Sequence, residues 1–203
     1  MGCFVSKSAE TIDSNDKTQC IVKNTSSSFV PEIISEKISG SILRIEFEKK
    51  ISTGFFIKIN LNKNKHNFIL TCAHSISQED INSKITITIF YGKANKETEQ
   101  KIKLDINERF IKCFMNFDID ATILEVLQED NIPEDKYLYP DLNYENGYDQ
   151  YIGNQIFTGG YPEVSVYKGD KHFSSGNIKS YKDKKKLIFV ILVLLKKDHQ
   201  VLL

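Results

Sequence analysis

Two segments of the chain carry side chains suited to acid–base chemistry. Residues 68–74 form an apolar run that ends in a small residue and then His74, and residues 118–124 place Asp118 and Asp120 before a second apolar run. An imidazole at one strand end, oriented by a carboxylate from a distant strand, is the general-base half of a Ser-His-Asp triad. Each segment taken alone is more often structural than catalytic. The elements that position the two segments therefore decide their meaning.

The sequence from residue 38 to residue 126 predicts short β-strands separated by polar turns. Leu43, Ile45 and Phe47 alternate with more polar residues, and residues 85–91 alternate in the same way. This period of two is typical of half-buried strands. Further strands are predicted at residues 54–59, 68–71, 101–104, 110–114 and 121–126. Only residues 75–80 suggest a helical turn, so the pattern indicates an all-β antiparallel barrel or sandwich.

The regions on either side of these strands differ in texture. Residues 1–35 are polar and predict a lead segment or tether. After Pro133 the chain becomes loop-like and rich in tyrosine, and strand patterns return at residues 155–157, 164–167 and 177–181. These later strands predict a second and shorter β unit.

Several motifs resemble those of trypsin-like (chymotrypsin-fold) serine proteases. Residues 53–57 read Thr-Gly-Phe-Phe-Ile and residues 69–76 read Ile-Leu-Thr-Cys-Ala-His-Ser-Ile, similar to the family's segments around its histidine. Residues 120–126 are similar to its aspartate strand, with Thr122 where alanine is usual. Residues 155–162 and 174–178 resemble two strands of its second barrel. The resemblance covers roughly residues 38–181 and implies two packed β-barrels with the active site between them.

The resemblance also implies roles for single residues. His74 would be the general base and Asp120 its orienting partner. Asp118 competes for that role because a shift of two residues keeps the same strand face, but the alignment of the residues after Asp120 favours Asp120. Ser75 stands where secreted members often have a disulfide cysteine, which agrees with an intracellular chain. The expected substrate is a polypeptide, cleaved through an acyl-enzyme, with no metal and no organic cofactor.

The family's nucleophile motif, Gly-x-Ser-Gly-(Gly/Ser)-Pro, does not occur in the 203 residues. Ser175 precedes a glycine, but Phe173 replaces the leading glycine, so Ser175 is predicted to be an ordinary strand residue. The protease domain would span residues 36–203. Within it we expect a complete first barrel at 36–136, a partial and truncated second barrel at 137–183 and an anomalous tail at 184–203.

The tail has an apolar run at residues 187–195 between clusters of lysine. A slip of the reading frame near residues 184–189 would explain both this tail and the missing motif. We assume that Leu202 and Leu203 are encoded by CTN codons. If codons 198–203 are then read from one base earlier, the bases permit the sequence Gly-Ser-Ser-Gly-Ser-Pro. The nucleophile would then be encoded where Gln200 is read. The other interpretation is a genuine final strand or a natural truncation.

Composition and the N-terminus restrict the compartment and the partners. The chain has 27 basic and 27 acidic residues, which argues against a nucleic-acid partner. Gly2, Cys3 and Ser6 fit an N-myristoylation motif with a cysteine for a second acyl chain, which predicts a lipoprotein. A chance match in an ordinary N-terminus is the alternative. We expect a cytoplasmic chain with reduced thiols, at the cytoplasmic face of a membrane if it is acylated. The four cysteines lack paired spacing, so no zinc site is predicted.

The leading prediction is a trypsin-like serine endopeptidase whose Ser motif is missing from the chain as given, which leaves its activity in question. The alternative is a catalytically inactive, protease-like binding module tethered to a membrane. A small β-barrel adaptor unrelated to proteases is a third interpretation.

Overall fold

The chain folds mostly into antiparallel β-structure, as the sequence predicts. The computed structural model describes residues 32–48, 50–61, 64–93, 96–115, 120–141, 148–161 and 171–177, together with the pairs 194–195 and 201–202. Two α-helices are present in these ranges, α1 (Glu32–Ser41) and α2 (Gln78–Asn82). Short 3₁₀ turns lie at Gln128–Asp130, Glu134–Lys136 and Tyr148–Tyr151.

The largest element is a sheet of seven strands. Its strands are β1 (Ile42–Phe47), β2 (Lys50–Leu61), β3 (Asn64–Thr71), β4 (Thr86–Lys93), β5 (Lys96–Lys103), β6 (Ile111–Met115) and β7 (Asp120–Glu125). They are arranged in the order β5-β4-β1-β2-β3-β7-β6. Every neighbouring pair is antiparallel. The two edges, β5 and β6, are consecutive in the chain, and no ladder joins them among the described residues.

One face of this sheet carries the larger apolar core. Leu43, Ile45 and Phe47 of β1 all point into it, which confirms the alternation predicted for this strand. The remaining buried members come from β2, β3, β4, β5 and β7 and from the segments after β3, β5 and β7: Phe56, Ile69, Ile76, Ile81, Ile87, Ile89, Tyr91, Ile102, Leu104, Leu124, Val126 and Tyr137. Burial of these side chains is the main stabilising term for this half of the chain.

Helix α1 covers part of the opposite face and was not predicted. Ile34 and Ile38 lie one turn apart and are buried against Ile42 and Phe55 in a second core. A helix with only two buried apolar positions gives too short a periodic signal to be recognised by its 3.6-residue repeat. The boundary that the sequence suggests at residue 35 therefore falls inside a helix.

A separate hairpin of β8 (Gln155–Gly160) and β9 (His172–Asn177) packs on this second core. Phe157 of β8 is buried there together with Tyr161, which follows the strand. Ser175 is a buried residue of β9 opposite Phe157, so its prediction as a strand residue is confirmed. Of the strand predicted at 177–181, Asn177 is the last residue of β9, and residues 178–181 lie outside the described residues. The predicted strand at 164–167 lies outside the described residues.

Lys171 fastens this hairpin to the large sheet. Its ammonium donates hydrogen bonds to the carbonyls of Ser39, at 2.6 Å, and Gly92, at 2.5 Å, and it lies over the ring of Tyr161. Burial lowers the pKa of Lys171 to about 8. One side chain thus connects the hairpin to both α1 and β4.

Within the tail, the structure describes only β10 (Leu194–Leu195) and β11 (Val201–Leu202), which pair with each other. The other residues of the tail lie outside the described residues. So do Gly2 and Cys3 at the N-terminus. Neither helix in the described part of the chain has the length and apolar character needed to cross a membrane.

Candidate active site

His74 lies in a tight turn that begins where β3 ends. The carbonyl of Cys72 accepts hydrogen bonds from the backbone N–H groups of Ser75, at 3.1 Å, and Ile76, at 3.2 Å. This turn closes over the buried side chains of Ala73 and Ile76 and leaves the His74 side chain 45% exposed. The local sequence therefore directs the imidazole toward solvent at the end of a buried strand.

The pairing of β3 with β7 brings Asp120 to this turn. Thr71 lies opposite Thr122, so the first residue of β7 reaches just past the end of β3. Asp120 Oδ2 lies 2.5 Å from His74 Nδ1, and Asp120 Oδ1 accepts a 3.0 Å hydrogen bond from the His74 backbone N–H. The two residues are 46 positions apart in the chain. Asp118 lies outside the described residues.

The hydrogen bonds from His74 favour the ionised form of Asp120. Partial burial raises the pKa of the Asp120 carboxyl, but the hydrogen bonds from the His74 ring and backbone outweigh burial, so the pKa lies below its usual value. An ionised carboxylate only accepts hydrogen bonds, so Nδ1 of His74 carries the proton. In a neutral ring, a proton on Nδ1 leaves the lone pair on Nε2, as a general base requires.

Thr122 joins β7 to the His74 turn through a contact that the sequence did not reveal. Its hydroxyl donates a 2.7 Å hydrogen bond to the carbonyl of Ile76, and both residues are completely buried. The bond runs from β7, two residues after Asp120, to the turn that holds His74. The only sequence signal for this contact was that Thr122 stands where trypsin-like proteases usually have alanine.

The end of the His74 turn is fixed by the start of α2. Ser77 caps this helix: its hydroxyl accepts from the Asp80 backbone N–H at 3.2 Å, and Asp80 Oδ2 accepts from the Ser77 backbone N–H at 2.8 Å. Reciprocal bonds of this kind satisfy two donors at a helix start. The helix begins three residues later than the predicted turn at 75–80 because Ser77 is its cap.

A chain of hydrogen bonds also connects the β8–β9 hairpin to β3, the strand that precedes the His74 turn. The Tyr161 backbone N–H donates to Thr53 Oγ1 at 2.9 Å, and the hydroxyl of Thr71 donates to the Thr53 carbonyl at 2.8 Å. Thr71 is the last residue of β3. The end of the hairpin is thereby held beside the beginning of the His74 turn.

Cys72 brings a third side chain with a possible metal-ligand atom to this place. It is 4% exposed and is a free thiol, as is Cys113. One ligand atom each from Cys72, His74 and Asp120 lie within 4.8 Å of one another. Cysteine spacing alone did not predict this grouping, because its third member is delivered by a distant strand.

No protein-family model matches the chain, and no curated protein is significantly similar to it.

Proposed function

We propose that the chain is a trypsin-like serine endopeptidase domain that hydrolyses peptide bonds with His74 as general base. The observation that carries the proposal is the double hydrogen bond between His74 and Asp120, made across the ends of β3 and β7. It supplies the tautomer and the ring orientation that a Ser-His-Asp triad requires.

The order of the strands supports the same proposal. The two edge strands, β5 and β6, are joined by residues 104–110, and both ends of this segment continue the neighbouring ladders. The Leu104 N–H donates to the Ile85 carbonyl, and the Glu125 N–H donates to the Phe110 carbonyl. We propose that this segment closes the sheet into the first barrel, with β8 and β9 as the beginning of the second. The proposed active site would then face the cleft between them.

In the proposed reaction, His74 Nε2 takes the proton of a serine hydroxyl as its oxygen attacks the peptide carbonyl. Asp120 stabilises the imidazolium, which then gives this proton to the leaving amine. Backbone N–H groups of the serine motif would stabilise the oxyanion. We propose that this motif is encoded in the shifted frame, with the serine where Gln200 is read.

The first experiment is to sequence the transcript across codons 180–203 and express the chain in the frame that it supports. We expect the corrected protein to be labelled by a serine-reactive fluorophosphonate at the serine encoded in place of Gln200. His74→Ala should abolish labelling. His66→Ala is the matched control, because His66 lies on β3 and stacks on Phe68 away from Asp120.

The second candidate function is a protease-like binding module without catalysis, tethered through acylation of Gly2 and Cys3. This candidate requires that the transcript encodes no serine motif in any frame after codon 184. A transcript with no insertion or deletion near codon 184 and an in-frame stop after Leu203 would support this candidate. Labelling of the protein as given would reject it.

A further inference from the structure

The turn after β3 places three zinc-ligand side chains around one point. The ligand atoms of Cys72, His74 and Asp120 lie within 4.8 Å of one another. Cys72 and His74 are held by the same hydrogen-bonded turn, and Asp120 is bonded to the backbone of that turn. The buried thiol forms the floor of the group, and the His74 and Asp120 side chains, 45% and 49% exposed, form its open side.

The donor types select the metal. A thiol, an imidazole and a carboxylate are together the ligands that Zn²⁺ uses, and three protein ligands with an open fourth position are typical of accessible zinc sites. Calcium and magnesium prefer oxygen ligands, which only Asp120 offers here. Two ligands of one tetrahedral zinc ion lie about 3.3–3.6 Å apart, so displacements of about 1 Å would complete the site.

The same distances make zinc binding incompatible with the general-base pair. His74 Nδ1 and Asp120 Oδ2 are 2.5 Å apart, which suits a hydrogen bond but is too short for two ligands of one ion. Binding must therefore break this hydrogen bond and turn the ring or the carboxylate toward the metal. Zinc and the oriented imidazole are alternative states of the same residues.

We propose that Cys72, His74 and Asp120 form a Zn²⁺ site that switches off the His74–Asp120 pair. The Cys72 thiol releases its proton to water when its sulfur binds the ion, and a water occupies the fourth position. The metal site stands on its own geometry, whereas its inhibitory role rests on the proposed endopeptidase function.

Cobalt reports the site directly, because Co²⁺ takes the place of Zn²⁺ and absorbs strongly when a thiolate is bound. We expect the 203-residue chain to bind one Co²⁺ with a thiolate-to-cobalt absorption band that Zn²⁺ abolishes. Cys72→Ser should remove the band and weaken Zn²⁺ binding at least about tenfold. Cys113→Ser is the matched control and should change neither the cobalt band nor the Zn²⁺ affinity. A band that survives Cys72→Ser would overturn the proposal.

A second variant guards against misfolding of the buried Cys72→Ser substitution. Asp120→Asn changes an exposed ligand and should keep the cobalt–thiolate band while weakening Co²⁺ binding at least about tenfold. Unchanged affinity in Asp120→Asn would likewise overturn the site as proposed. Circular dichroism of each variant establishes that it is folded.

The proton between His74 and Asp120 reports the switch without any catalysis. We expect its downfield NMR resonance to disappear when Zn²⁺ is added to the 203-residue chain and to persist with Mg²⁺. In Cys72→Ser the resonance should persist at the same Zn²⁺ concentration. A resonance that stays unchanged in the zinc-loaded protein would contradict the switch.

The frame-corrected protein separates this proposal from the proposed function. Zn²⁺ should slow fluorophosphonate labelling, and the ratio of rates without and with Zn²⁺ should fall toward one in Cys72→Ser. If labelling is absent at all metal concentrations while the cobalt band is present, the endopeptidase proposal fails and the metal site stands. If labelling occurs and the cobalt band is absent, the metal site fails and the endopeptidase proposal stands.

Discussion

Two aspartates of this chain each accept hydrogen bonds from a basic side chain, but in opposite surroundings. Asp130 accepts hydrogen bonds from both terminal nitrogens of Arg109, at 2.7 and 3.2 Å, and both side chains are 5% exposed. Asp120 accepts hydrogen bonds from the ring and the backbone N–H of His74, and the side chains of His74 and Asp120 are about half exposed. Geometry alone therefore does not distinguish a structural pair from a reactive one, and accessibility does.

The Arg109–Asp130 region behaves as a brace. Asp130 also accepts from the Leu127 backbone N–H at 2.7 Å, and Arg109 donates to the Glu125 carbonyl at 3.1 Å. These bonds offset much of the cost of burying both charges, although Arg109 Nε is buried without a partner, and removal of Asp130 would leave the Arg109 charge unpaired. The His74–Asp120 region is open to solvent, where an ion pair contributes little to stability. We infer that its geometry serves chemistry rather than folding.

The largest effect is expected from Asp120→Asn in the frame-corrected protein. The amide holds the His74 ring in the wrong tautomer, and kcat on a peptide substrate should fall about 10⁴-fold. Asp135→Asn, at an exposed aspartate, is the control and should leave kcat unchanged. A loss of less than about tenfold would show that Asp120 does not orient the base.

The next largest effect should come from the buried pair. Asp130→Ala leaves Arg109 charged and without its partner, and should lower the free energy of unfolding by about 3–5 kcal/mol in urea titrations of the 203-residue chain. Asp120→Ala should cost less than about 1 kcal/mol in the same measurement. Equal losses at the two sites would remove the contrast between them.

Gly159→Ala tests how tightly the β8–β9 hairpin is held against the large sheet. A Cβ there would lie 2.5 Å from Ile42 Cδ1 and 2.9 Å from Phe173 Cε1. Overpacking of this kind should cost about 1–3 kcal/mol of unfolding free energy. Gly153→Ala is not a suitable control because Gly153 has a positive φ of 85°. Gly40→Ala, whose Cβ would meet only the flexible end of Lys136, is the better match and should cost less.

Thr122→Val tests the tether inside the reactive region. The substitution keeps the shape but removes the hydroxyl, so that the buried Ile76 carbonyl loses its partner at a cost of about 1–2 kcal/mol. Because the turn is then less constrained, we expect the NMR resonance of the proton between His74 and Asp120 to broaden. Thr122→Ser keeps the hydroxyl and should preserve the resonance. A sharp resonance in Thr122→Val would limit Thr122 to a structural role.

The smallest effect concerns acid stability. The Asn107 backbone N–H, Lys84 and Lys103 hold the pKa of Asp105 well below its usual value of about 3.9. The stabilisation is therefore complete above that usual value and is lost as the pH falls toward the lowered pKa. We expect the unfolding free energy of the unaltered chain to fall more steeply from pH 5 to pH 2 than that of Asp105→Asn. Parallel curves would contradict this role.

The sequence predicted most strands where local alternation was strong. Residues 42–47 and 85–91 show a period of two, and β1 and β4 lie at these places. Helix α1 was missed because its apolar face has only two buried residues, whereas β9 lies where residues 174–178 resemble a strand of the second barrel. The juxtaposition of His74 and Asp120 was expected from a resemblance, since local patterns contain no information about partners 46 residues apart.

By itself, the sequence determined the all-β character of the chain and the presence of a histidine and an aspartate at strand ends. Alternation and turn residues are local properties, and they are written in consecutive positions. Only the tertiary structure decided that Thr71 lies opposite Thr122, that Thr122 holds the His74 turn, and that Cys72 lies beside the pair. These contacts depend on strand register, which is set by the burial of whole faces rather than by any short segment.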